Sequence, residues 1–171
     1  MAQSDQIVVT HEEPKSEQIS KHFDLDFWGG EYSFKSSEKY YLNYKVEYIS
    51  KNSDEVKIKS YFSSYMCDQF TFNLLVSNPD LDKKQNWYKK LVSLSHKEEK
   101  ILENGIIKTA GLGTKEPIDM GKEFFENNSY NYTKSSFITP EKPKVLYHQK
   151  SNKNKQFLKI IVLLTKNKEQ S

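Results

Sequence analysis

The sequence predicts a mainly β fold: an antiparallel β-sandwich or partly open barrel of about seven to nine strands, with one principal helix inserted mid-chain. Three observations carry this. Residues 40–49 alternate, with Tyr40, Leu42, Tyr44, Val46 and Tyr48 on one side and Asn43, Lys45 and Glu47 on the other. Successive side chains of a strand point to opposite faces, so this pattern describes a half-buried strand. Residues 156–165 are apolar on both sides, Leu158, Ile160, Val162 and Leu164 against Phe157, Ile161 and Leu163. Such a strand needs cover on both faces, from a second sheet, a helix or another subunit. Finally, short aromatic and β-branched runs recur between clusters of Asn, Ser, Gly and Pro, which is how an all-β domain is punctuated.

Taken in order, residues 1–21 are polar apart from Ile7-Val8-Val9 and are interrupted by Pro14. They read as a flexible arm, of which residues 6–10 suit pairing on a neighbour's sheet edge. Phe23, Leu25 and Phe27 alternate with Asp24 and Asp26, a short strand ahead of a turn at Gly29-Gly30, with residues 31–35 as the next strand. After residues 40–49, Asn52-Ser53-Asp54 makes a turn, and Val56, Ile58 and Phe62 continue the pattern against Lys57 and Lys59. Residues 70–76 are richer in apolar side chains and belong nearer the middle of a sheet.

The predicted helix lies in residues 78–109. Asn78 is a good N-cap, Pro79 fits the first helical position, and Asp80 and Asp82 face the positive end of the dipole. Leu81, Trp87, Tyr88, Leu91, Leu94 and Leu102 recur near helical spacing with lysines between them. The expectation is a helix from residue 80 to about 90, with two readings open for residues 91–103. Either the helix continues to a cap at Asn104-Gly105, or that dipeptide turns a hairpin between 101–103 and 106–108.

Beyond it, Ala110-Gly111-Leu112-Gly113-Thr114 reads as a flexible connection leading to Pro117. Residues 120–125 suit a turn of helix. Residues 135–138 and 144–148 read as short strands, and residues 150–155 as a polar loop.

At 171 residues the chain suits a single β-rich domain over residues 22–165, with a flexible tail at 166–171. Hydrophobic content is 36%, so rings supply much of the buried area: eleven Tyr and ten Phe. All 26 basic residues are lysine. Without arginine the fork-like reading of guanine edges is lost, which counts against sequence-specific DNA recognition. Charge is uneven: residues 139–171 hold eight Lys against Glu141 and Glu169, while the rest of the chain is net acidic. A basic C-terminal region suits an acidic partner. Cys67 is alone, so no intrachain disulfide can form. No basic-then-apolar leader and no apolar run of membrane length is present, and the expected location is intracellular, in the cytoplasm.

Candidate chemistry is sparse. Cys67 has no local activating group, and His11, His22, His96 and His148 lack a metal-ligand spacing. The close carboxylates Asp24/Asp26, Asp54/Glu55 and Asp80/Asp82 read as solvated strand, turn and helix-terminus positions. Gly111-Leu112-Gly113-Thr114-Lys115 lacks the spacing of a phosphate-binding loop. Tyr40, Tyr41, Tyr44 and Tyr48 with Lys39 and Lys45 would offer stacking rings to single-stranded nucleic acid only if they were exposed.

The expected function is a non-catalytic β-rich interaction or assembly module, a structural subunit of a homo- or hetero-oligomer, with no cofactor and no metal. Its expected interface is Trp87, Tyr88, Leu91, Ile160, Val162 and Leu164, with Lys150, Lys153 and Lys155 meeting an acidic partner. Two other classes compete: a barrel or sandwich binding an apolar small molecule or lipid, and a single-stranded nucleic-acid binder.

Overall fold

In a computed structural model the chain is described over residues 7–12, 27–82, 87–101, 107–134 and 136–168. The side chains at 27–28, 77–82, 87–89, 91, 93, 98–101, 107–116 and 136 lie outside that description. The described strands are β1 (Ile7–Glu12), β2 (Phe27–Tyr48), β3 (Lys57–Phe62), β4 (Cys67–Asp82), β5 (Trp87–Ile101), β6 (Ile107–Asp119), β7 (Asn128–Tyr132), β8 (Ser136–Ile138), β9 (Lys144–Ser151) and β10 (Phe157–Thr165). One short helix, α1 (Gly121–Glu126), sits between β6 and β7. The pairings are antiparallel, and the sheet curls into a half-barrel.

The long strand β2 organises this sheet. Its first half pairs with β1 on one side and β4 on the other, from which β5 and β6 continue. Its second half pairs with β3 on one side and β10 on the other, from which β9 and β7 continue. We call these the first and second wings. Between them the β2–β4 register breaks from Lys35 to Tyr40, and an irregularity of this kind bends a strand. The wings close on a shared core in which Tyr32, Phe72, Leu94, Phe124, Leu146, Leu158 and Ile160 are buried together. Tyr44 reaches across, its ring 4.9 Å from Phe72 and its hydroxyl 2.9 Å from His96 Nδ1.

The mid-chain helix is not formed. Residues 80–82 end β4, and residues 87–101 are β5, paired with β4 from Asp82↔Trp87 to Gln69↔Glu99. The pattern of caps and lysines is local, whereas pairing with β4 and β6 gives the backbone groups of residues 87–101 ladder partners. Pro79, which cannot donate to a ladder, falls where the register shifts between Ser77 and Asp80; bulges tolerate proline. Of the two readings for residues 91–103, the hairpin is the one formed, since Ile101 pairs with Ile107. The turn itself, Asn104-Gly105, lies outside the described residues.

Three smaller expectations also change. Gly29-Gly30 is not a turn but runs through β2, paired with Leu75 and Leu74. A Cβ on Gly29 would collide with the Leu74 carbonyl and Leu75, and one on Gly30 with the His11 ring and the Glu12 carbonyl. Glycine here admits close neighbours rather than reversing the chain. Residues 110–117 are not a connection but part of β6, which ends the described path at β5; Pro117 is tolerable on such an outer strand. Ile7–Glu12, expected in a loose arm, is β1 within this chain's own sheet, with Ile7 and Val9 buried. Residues 13–26, including Asp24 and Asp26, lie outside the described residues.

Candidate functional site

Strand β10 explains where a surface site arises. Its inward residues Leu158, Ile160, Val162 and Leu164 are all buried in the core. The expected interface residues Ile160, Val162 and Leu164 are therefore core residues of this chain. Trp87, Tyr88 and Leu91 lie on β5, with side chains outside the description. The outward face of the second wing is different. The register places Phe62, Asn43 and Leu163 in one row across β3, β2 and β10, and Ser60, Lys45, Ile161 and Val145 in the next, extending to β9. Ile58, Glu47, Lys159 and His148 form a third row.

This outward face is unusually apolar for solvent. Ile58 is 55% exposed, Val145 37%, and Phe62 and Leu163 are half-buried. A bulge helps to place Val145 there. The β9–β10 register shifts between Ile160 and Ile161, so Leu146 and Tyr147 both turn into the core and Val145 falls beside Ile161. Over the first two rows the surface sinks into a groove of about 90 Å³, whose lining includes Asn43, Phe62, Pro143, Ile161 and Leu163. Pockets for drug-sized ligands run from about 300 Å³ upward, so this groove suits a side chain rather than a lipid.

Asn43 is among its lining residues and is 6% exposed. Its Nδ2 donates to Thr165 Oγ1 at 2.7 Å, while its Oδ1, buried from solvent, has no hydrogen-bond partner. The Lys45 ammonium beside it is paired with Glu47 at 3.0 Å.

Further along the same face the surface becomes basic. Lys150, Lys153 and Lys155 are exposed and Lys159 is half-buried. His148, half-buried among them, has its pKa lowered below the ordinary imidazole value, chiefly by burial and then by the charges of Lys159 and Lys150. The loop carrying Lys153 and Lys155 is held rather than free. Ser151 Oγ accepts from the amides of Lys153 and Asn154, and Asn154 Oδ1 accepts from the Gln156 amide. Gln156 Nε2 in turn donates to the Met120 carbonyl at 2.8 Å.

The remaining candidates do not converge on a reaction centre. Cys67 is buried, and among the described residues no three His, Cys, Asp or Glu side chains form a metal-binding group. Asp54 and Glu55 are exposed, and the side chains of Asp80 and Asp82 lie outside the description. Tyr40, Tyr44 and Tyr48 are core rings and present no face to a base; Tyr41 is half-buried. Among the described residues no helix is long and apolar enough to cross a membrane. Asn43, absent from the expected site, looked like an ordinary outward polar residue of an alternating strand. Its unpaired carbonyl exists only because Thr165, Phe62 and Leu163 flank it in the folded sheet.

Comparison with known protein families, curated proteins and solved structures finds no match. The functional reading therefore rests on the chain's own chemistry.

Proposed function

We propose that this chain is a non-catalytic protein-interaction module that joins an assembly through the outward face of its second wing. The observation that carries the reading is the run of exposed and half-buried apolar side chains, Ile58, Phe62, Leu163 and Val145, on the outward side of a sheet whose other side forms the core. Apolar surface of this kind, rimmed by charge, is characteristic of protein contacts. The lysines at one end add a long-range attraction for an acidic partner.

Photo-crosslinking in the cells that make the protein tests this, with the photoreactive residue placed at Ile58, at Val145 and, as an off-face control, at Lys122 on α1. Adducts to a defined protein from the first two positions and not from the third support the reading. Equal labelling from all three, or none from the face, overturns it. Solution mass by light scattering, with and without Ile58→Asp, then says whether the captured protein is a second copy.

A further inference from the structure

We infer that the partner on this face is a second copy of the same chain, joined about a two-fold axis that runs along the strands between β2 and β10. The inference rests on the proposed interaction face and names its occupant.

In a two-fold contact one patch meets itself, so the two sides of the axis must complement each other. When two sheet faces meet about an axis parallel to their strands, each position meets its mirror position across that axis. The charges of the second wing have this arrangement. One outward row runs Ile58, Glu47, Lys159, His148 across β3, β2, β10 and β9. Its centre falls between Glu47 and Lys159. Rotation about that line sets Glu47 of each copy against Lys159 of the other. Glu47 already pairs with Lys45 at 3.0 Å, and a carboxylate has acceptor sites for a second cation. The same rotation sets the exposed Ile58 against the half-buried His148, whose ring meets Phe157 edge-on.

The end of the wing repeats the pattern. The β2–β3 turn carries Asp54 and Glu55, the β9–β10 turn carries Lys153 and Lys155, and all four are exposed. The turns lie at one end of the wing, where the Ile49 amide donates to the Phe157 carbonyl at 3.0 Å. At strand spacing their centres are about 10 Å apart, on opposite sides of the same line. Among the described residues none of the four takes part in an ion pair. In the rotated copy each acidic turn faces a basic one. An acidic partner of another kind would satisfy the lysines but set like charge against Asp54, Glu55 and Glu47, whereas a second copy uses both signs. Exposed ion pairs are individually weak, so charge here fixes orientation more than strength.

The test is self-association of the purified full chain, by light scattering over a concentration series. The expected result is a dimer that weakens about tenfold between low and high salt. Two variants then reverse one side of the axis each: Glu47→Lys with Asp54→Lys and Glu55→Lys, and Lys153→Glu with Lys155→Glu and Lys159→Glu. Each alone should be monomeric, because like charges then face each other at every pair. An equimolar mixture of the two should recover a dimer holding one chain of each kind, which also shows that both variants fold. A further arm leaves these charges unaltered. A photoreactive residue at Ile58 should join two copies, with its adduct among residues 145–150 of the second. A monomer at every concentration overturns the inference, as does a dimer indifferent to both reversals or joined at Ile58 to another region. If the purified chain is monomeric while crosslinks at Ile58 and Val145 in cells capture a different protein, the second copy is excluded and the interaction face stands. If those crosslinks capture nothing, the face falls with it.

Discussion

The two faces of strand β10 differ in how completely they are used. Inward, Leu158, Ile160, Val162 and Leu164 are sealed among side chains from both wings. Outward, Ile161 and Leu163 border a groove lined also by Asn43, whose side-chain oxygen is buried and unpaired, next to an isoleucine more than half exposed. Stability is concentrated on one side. The other side holds features that cost stability, an orphaned acceptor and apolar surface in water.

The largest contrast should come from truncation. Ile160→Ala should lose about 2–5 kcal/mol, because a methylene-rich side chain leaves a cavity between the wings. Ile58→Ala on the outward face should stay within about 0.5 kcal/mol. Denaturant unfolding checks both; equal losses would erase the distinction between the faces. Crowding inside the first wing offers a second measure. Gly30→Ala drives a methyl into the His11 ring and the Glu12 carbonyl and should cost about 1–3 kcal/mol, as overpacking does. A neutral result would mean that β1 gives way easily.

The outward face should answer with the opposite sign. Asn43→Val removes an unpaired buried acceptor between Phe62 and Leu163 and should stabilise the free chain by about 1 kcal/mol. A loss of that size would show that the bond to Thr165 matters more than the orphaned oxygen. The smallest effect concerns pH. The folded pKa of His148 lies below its unfolded value, so the folded state resists taking the proton. Its contribution is unchanged above the ordinary imidazole pKa of about 6.5 and is lost as pH falls through that value toward the lowered one. Melting temperature should therefore fall on mild acidification, and His148→Gln should flatten the curve. An unchanged slope would place the sensitivity elsewhere.

Much of the fold was legible wherever one strand face is wet. The alternation from Tyr40 to Tyr48 named its inward residues correctly, and the hairpin at Asn104-Gly105 was visible as an alternative. The short helix also lies where residues 120–125 suggested a turn. Legibility failed where local chemistry has two uses. Asn78-Pro79 followed by acids makes a helix start or a bulged strand, and only the β5 partner decides. Gly29-Gly30 makes a turn or a crossing of crowded strands, and only His11 and Leu75 decide. The site was the least legible part, because an outward Asn becomes an unpaired acceptor only when both neighbouring strands bury it.

What the chain determined by itself was its strand-forming character, its inward stripes and its basic C-terminal region, since alternation and charge are properties of adjacent residues. What tertiary structure decided was the continuation of β2 through its glycines, the strand fate of residues 80–101 and the groove over Asn43. These depend on register, and register is set by contacts between residues far apart in the chain.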